Sequence, residues 1–363
     1  MYNNIYIVIN PNKYLSGELM NKLFAITFIL IIILPSFSVI ASNIQKAGSG
    51  NNSLIDQKRE DGKTEYWALL IGVDFEEAIY GISFLPIDEE INTIYNTLLT
   101  SNHWNKDHIK IITHENATKV NILRAFRWLD RMEDEDDISF IFYTGHGNYL
   151  HWNFKKLGFE LPIDLPPFDE KDRCDEYLTT YNTKYINSYP LSVITDDLFN
   201  QLLDKLESKG VTVFLSSCYS GGMSDNNSKN KLKSKFFNYN SRKWVKDFSN
   251  EISEKNRVVL MASRENETSS VFPVVGTSFF TYVCEGLQGF ADENEDKMVS
   301  VEEAFLYAKP KWLELVGNFG GIPLIDDNFA GELVLTQAEL PPSRPNVSIN
   351  NQIGNLDNIF EIS

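Results

Sequence analysis

Cysteine is scarce in this chain: 363 residues hold three, Cys174, Cys218 and Cys284. That excludes a fold built on disulfides, and the odd count leaves at least one thiol free in an oxidising compartment. Positive charge is short as well. Lys plus Arg number 33 against 50 Asp plus Glu, a formal charge of −17, so the basic surface that phosphate binding needs is missing and nucleic acid is excluded as a partner. No internal repeat is visible. What is plentiful is apolar material, 43% of the chain with 13% aromatic, ample for a packed core and incompatible with wholesale disorder. The length allows one large domain or two modest ones.

One long apolar run lies near the N-terminus. Met20, Asn21 and Lys22 precede residues 23–34, which carry no charge, and Pro35 is followed by Val39, Ile40 and Ala41. This three-part pattern predicts an export signal over residues 1–41, cut after Ala41, with Met20 as the true start. A second reading stays open: residues 23–41 are 19 mostly apolar residues, enough to tether an uncut chain to a membrane. Either way the expected location is outside the cell. Residues 42–64, rich in Asn, Gly and Ser, read as a flexible linker.

From residue 65 short apolar runs alternate with helical stripes. Strands are predicted at 66–73, 108–113, 138–143, 211–215 and 257–262. Helices are predicted over 88–99, after Thr118, from Thr195 to about 206, from Ser278 to about 287, and over 301–308. That alternation predicts an α/β domain over 65–335, a mostly parallel central sheet with helices on both faces. In such sheets functional groups collect past the carboxyl ends of the strands.

Two strand ends carry reactive residues. The third runs into Thr144-Gly145-His146-Gly147, and the fourth into Ser216-Ser217-Cys218-Tyr219-Ser220-Gly221-Gly222. Singly, a free cysteine is more often inert core and a histidine more often a satisfied polar residue. Together, on neighbouring strands, they make a thiol with a base beside it, because an imidazole can take the proton that a neutral-pH thiol keeps. The glycines flanking His146 predict a sharp turn there. The amides of Gly147 and Cys218 are the candidate donors to the oxyanion of a tetrahedral intermediate. The chemistry expected is acyl transfer through a Cys–His pair.

These motifs resemble the caspase-like cysteine peptidases, particularly metacaspases and secreted prokaryotic caspase-domain proteins. The resemblance spans about 65–335 and takes in Ala68 to Val73, Asn116 to Lys119, Asp169 to Leu178 and Ile194 to Leu198 in the right order. It implies a caspase-like sheet, His146 as general base or acid, and Cys218 as the nucleophile on a peptide carbonyl of a protein or peptide substrate. Metacaspase-type members cut after Arg or Lys with acidic groups in the first pocket. Asp88 matches one of these, Thr144 matches a small hydroxyl residue of the pocket, and Ser216 stands where the family often has Asp. Asp88 equally suits a helix start. A legumain-like preference for Asn, and a non-catalytic, calcium-ordered binding module, are the open alternatives.

Eight carboxylates lie between Asp164 and Asp197 against three basic residues; packed together they repel unless a cation intervenes. The resemblance implies calcium held by Asp175, Asp196, Asp197 and Asp225. A second candidate is read from spacing: Asp292, Asn294, Asp296, the Met298 carbonyl, Ser300 and Glu303 fall at positions 1, 3, 5, 7, 9 and 12 of an EF-hand-like loop over 292–303, with Lys297 where glycine is usual. Ser300 and Glu303 also spell a capping box. Residues 226–256 hold eight Lys or Arg and seven Asn and read as a flexible connector. By the resemblance it joins a larger and a smaller portion, and self-cleavage is expected within 229–246. Residues 268–273 and 276–278 are expected to line the substrate groove, and 336–363 to form a flexible tail.

Overall fold

The structure, a computed structural model, describes residues 62–74, 87–154, 159–168, 174–186, 189–219, 248–249, 251–262, 278–316 and 322–338. All belong to one compact unit, Lys58–Ser363. The expected export segment, the linker up to residue 61, Asp225 and the 229–246 stretch lie outside the described residues, as do 268–273 and 276–277. Among the described residues no helix is long and apolar enough to cross a membrane.

In chain order the elements are β1 (Tyr66–Gly72), α1 (Ile87–Leu98), β2 (Ile109–Thr113), α2 (Lys119–Met132), β3 (Ile138–Tyr149), β4 (His151–Phe154), β5 (Phe159–Pro162), β6 (Glu176–Leu178), β7 (Lys184–Ile186), β8 (Tyr189–Leu191), β9 (Ile194–Thr195), α3 (Asp196–Leu203), β10 (Gly210–Tyr219), β11 (Arg257–Met261), α4 (Phe279–Glu285), β12 (Met298–Ser300), α5 (Val301–Val316), β13 (Leu324–Asp327) and β14 (Val334–Gln337). The main sheet runs β13-β11-β10-β3-β1-β2, and β6 and β9 attach to the far end of β3. β2, β1, β3, β10 and β11 are parallel; β13 and β6 pair antiparallel. This is the α/β architecture with a mostly parallel central sheet that the strand–helix alternation implies.

Alternation along each strand splits the core in two. Ala68, Leu70, Phe140, Phe142 and Phe214 pack with α1, α4 and α5; Leu69, Ile71, Ile141, Val213 and Leu215 pack with α2 and α3 on the opposite face. On α1 the stripe Ile87, Ile91, Ile94, Leu98 is buried throughout, which at about 2 kcal/mol per side chain outweighs any intrinsic helix preference. Thr118 caps α2 by accepting from the Asn121 amide, and Thr195 caps α3 by accepting from Leu198.

Several boundaries differ from the sequence reading, each for a packing reason. The third and fourth strands do not turn at 143 and 215. They continue as a ladder of ten register pairs, Gly210↔Ile138 through Tyr219↔Gly147. Gly145 serves close approach in place of a turn: a Cβ there would fall 2.4 Å from the Tyr143 hydroxyl, which lies beneath it. The helix expected over 301–308 continues to Val316 with Pro310 inside. The expected connector is packed at its end, with Phe248 and Ile252 fully buried against the α3 side of the sheet. The tail is shorter than expected, because β14 and the buried Ala338 belong to the fold.

Candidate active site

His146 and Cys218 stand directly opposite each other in the β3–β10 ladder. Adjacent strands lie about 4.8 Å apart, so two residues 72 apart in sequence are neighbours at the carboxyl end of the parallel strands. His146 is buried, and its carbonyl is held from three directions. It accepts from the Thr179 amide at 2.9 Å and the Thr179 hydroxyl at 3.1 Å. The Tyr143 hydroxyl lies 3.1 Å from it and 3.0 Å from the Thr179 carbonyl, its single proton donated between them. The backbone beneath the imidazole is therefore fixed by groups from β3 itself and from the end of β6. Gly147, the expected oxyanion donor, sits inside the sheet opposite Tyr219 on one side and Leu178 on the other.

Two residues before the pair, Gly72, Thr144 and Ser216 form one register row across β1, β3 and β10. Both hydroxyls converge on a residue that the sequence reading passed over. Thr144 donates to Glu90 Oε2 at 2.5 Å and Ser216 to Oε1 at 3.0 Å. Glu90 is only 5% exposed. Asp88, two residues earlier, faces elsewhere: its carboxylate meets His114 Nε2 at 2.7 Å and is 72% exposed. The structure thus joins Thr144 and Ser216 but through Glu90, with Asp88 turned to the β2 side. A sequence signal for Glu90 does exist. It falls three residues after Ile87 and four before Ile94, a carboxylate on the apolar stripe.

Asp175, Asp196 and Asp197 do converge, each offering an oxygen within 4.8 Å of the others. Asp175 and Asp196 are buried. Asp175 accepts from the Leu165 amide through Oδ1, while its buried Oδ2 has no hydrogen-bond partner. Asp196 accepts from the amides of Glu176 and Asp197. Burial, then the charges of Asp196, Asp197 and Asp164, push the Asp175 carboxyl up to about 8, and burial raises Asp196 too. An all-oxygen set with an orphaned carboxylate oxygen fits a hard cation such as calcium. Asp175 and Thr179 also flank β6: Glu176, Tyr177 and Leu178 pair with Tyr149, Asn148 and Gly147, and Thr179 holds His146.

The second loop is arranged differently. Asp292 accepts from the amides of Asp296 and Lys297, Asn294 from Asp296, and Asp296 from Met298. Lys297 takes the left-handed conformation, φ 68°, at the position where glycine is usual. Glu303 closes the capping box with Ser300, and the loop's carboxylates are not among the three-acid clusters of the described residues. The two remaining thiols are structural. Cys174 donates to the Leu150 carbonyl, and burial pushes the Cys284 thiol up to about 12, far from reactivity.

A family model for the caspase domain matches residues 67–317. The chain belongs to the caspase-domain family. That is a family of cysteine peptidases, and the matched span covers the whole ladder that pairs His146 with Cys218. This caspase domain is 28% identical over 174 residues to metacaspase-1 of Candida albicans, covering 44% of this chain and 34% of that protein. It is 27% identical over 170 residues to metacaspase-1 of Lodderomyces elongisporus, 44% of this chain and 33% of that one. The matched part of this chain thus spans about a third of these curated relatives. A solved protein from Geobacter sulfurreducens is 14% identical with a TM-score of 0.45, covering 76% of this chain and 98% of that one.

Proposed function

We propose that this caspase domain is a cysteine endopeptidase that cuts protein substrates after Arg or Lys, with His146 and Cys218 as its catalytic pair. The observation that carries the reading is the register pairing of those two residues at the carboxyl end of adjacent parallel strands. His146 takes the Cys218 proton, and the thiolate attacks the scissile carbonyl carbon, forming the C–S bond. The amides of Gly147 and Cys218 receive the oxyanion. The imidazolium then gives its proton to the leaving amine as the C–N bond breaks. Water, deprotonated by His146, hydrolyses the thioester and returns the thiol. The hold on the His146 carbonyl keeps the base in place through both steps.

Calcium fits this scheme at Asp175, Asp196 and Asp197, joined by Asp225 from the segment after the nucleophile; when bound it offsets the mutual repulsion of these carboxylates. Asp175 and Thr179 bracket β6, so settling the carboxylates steadies the strand that grips His146. The Lys- and Arg-rich 229–246 stretch suits the same pocket and is the proposed site of self-cleavage. Residues 1–41 support export.

The test is the full chain with fluorogenic Arg-, Lys-, Asn- and Asp-terminated peptides, in calcium or chelator. Calcium-dependent release after Arg or Lys that disappears in Cys218→Ala is the expected result. Release after Asn overturns the pocket and leaves the catalytic pair. No release with any peptide, together with a Cys218 that alkylates no faster than free cysteine, overturns the peptidase in favour of a binding module.

A further inference from the structure

The backbone bonds flanking the β3–β10 ladder fix which groups meet inside it. Along a strand, successive residues present their N–H and C=O to opposite neighbours. On β3 the Thr144 carbonyl accepts from the Val73 amide at 2.8 Å, and the His146 carbonyl from the Thr179 amide at 2.9 Å. Even-numbered residues of β3 therefore serve the side of β1 and β6, while Gly145 and Gly147 serve β10. On β10 the Val211 amide donates to the Asn256 carbonyl at 2.9 Å, and the Leu215 carbonyl accepts from the Ala262 amide at 3.1 Å. Odd-numbered residues of β10 therefore serve β11, while Ser216 and Cys218 serve β3.

Register then names the partners. Cys218 is level with His146, and in a parallel pair a residue bonds the two neighbours of the one it faces. The Cys218 amide is thus donated to the Gly145 carbonyl, and the Gly147 amide to the Cys218 carbonyl. These are the two amides that the acyl-transfer scheme needs for the oxyanion. Each backbone N–H has one proton to give, so neither serves the sheet and the oxyanion together. The pairing continues to Tyr219↔Gly147, one residue past the nucleophile. It is also one-sided there. β11 stays in register with β10 only as far as Leu215, so among the described residues the backbone of 216–219 is paired with β3 alone.

We propose that this fold is a latent form of the peptidase: the last rungs of the β3–β10 ladder occupy both oxyanion amides, and the end of β10 from Cys218 onward leaves β3 before a peptide carbonyl is attacked. The inference rests on the peptidase reading above and adds to it an autoinhibitory contact within the sheet. His146 keeps its place in both forms, because its carbonyl is held by Thr179 on the side away from β10. Thiol reactivity and carbonyl chemistry are therefore separable. Alkylation of Cys218 needs only the imidazole, whereas a tetrahedral adduct needs the freed amides as well.

The experiment uses the full chain in chelator. Iodoacetamide should alkylate Cys218 faster than free cysteine, while peptide aldehydes ending in Arg or Asn should bind weakly, since the oxygen of their hemithioacetal takes the oxyanion position. Ser220→Pro removes the amide that would carry the ladder past Gly147. It should tighten aldehyde binding at least about tenfold and leave the alkylation rate within about twofold. Proton exchange followed by NMR should find the Gly147 and Cys218 amides of the unliganded wild type as slow as the Phe214 amide within β10, and faster in Ser220→Pro. Fast exchange at both amides in the wild type overturns the proposal, whether or not the variant folds. So does a Ser220→Pro chain whose amides exchange freely and whose aldehyde binding is unchanged. A Cys218 that alkylates no faster than free cysteine in either chain overturns the peptidase reading and the latent form with it.

Discussion

At the start of β3, Asp137 sits with Asp134 and Asp136 in a cluster of three carboxylates; past its end, Asp175 sits with Asp196 and Asp197 in another. The first cluster is answered by the chain's own donors. Asp137 accepts from the Glu65 amide at 2.7 Å, the Trp67 indole at 3.1 Å and the Asp134 amide at 3.0 Å, and Asp134 accepts from Asp136. In the second, one buried oxygen of Asp175 meets no donor, and Asp175 also feels the charges of Asp196, Asp197 and Asp164. Burial raises both, Asp137 to about 6 and Asp175 to about 8. The same residue type in the same grouping is therefore a clasp between β1 and β3 at one end and the proposed seat for a cation at the other. Whether each buried oxygen meets a donor, rather than the count of acids, separates Asp137 from Asp175.

The largest effect that sharpens this comparison lies at the working end of β3. Cys218→Ala should reduce peptide cleavage by at least about 1,000-fold while leaving the thermal midpoint in place, read from progress curves and calorimetry. A variant that still cleaves would move the chemistry elsewhere. Next, Asp175→Asn should raise the calcium concentration for half-activation about 10- to 100-fold. Asp137→Asn should cost about 1–3 kcal/mol in urea unfolding with no change in calcium response. Matching calcium responses in the two variants would break the distinction.

The two clusters also differ in the pH range over which they act. Each carboxyl is raised above its ordinary value of 3.8 in the folded protein, so the folded chain holds protons that the unfolded chain has released. Stability is then favoured at low pH and lost as pH rises through the folded value. The Asp137 contribution is spent by about pH 6, and the Asp175 cluster continues to about pH 8. In chelator, unfolding free energy should fall between pH 6 and 8, by up to about 1.4 kcal/mol per pH unit for one proton, and calcium should flatten that slope. A flat profile without calcium would contradict the strained cluster. The smallest effect is Thr179→Val. It should cost about 1 kcal/mol by losing the hydroxyl donated to His146, and lower kcat more than KM if the grip on the base matters to turnover.

Much of this could be read along the chain because the physics is local. Thr118 and Thr195 announced their helices by their own hydroxyls, Ser300 and Glu303 announced theirs reciprocally, and the apolar runs of β1, β3, β10 and β11 announced strands buried on both faces. His146 and Cys218 were legible because glycine- and serine-rich motifs at strand ends are unusual in core. Glu90 was passed over, since three acids in a row at a helix start suit the helix dipole wherever they point, although its place on the apolar stripe of α1 marks it. Gly145 was read as a turn, since a glycine needed for the Tyr143 hydroxyl looks the same in sequence as one needed for a bend.

By itself the sequence determined the alternation of strands and helices, the two candidate reactive residues at strand ends and the acidity around 164–197, all set by periodicity, capping and composition. Only the tertiary structure decided that His146 and Cys218 are register partners, that Asp175 meets Asp196 and Asp197 with an oxygen to spare, and that Glu90 rather than Asp88 meets Thr144 and Ser216, two residues before that row. Those outcomes depend on which strands pair and which way a helix rolls, and both follow from burying the whole apolar surface at once, beyond the reach of any short stretch of chain.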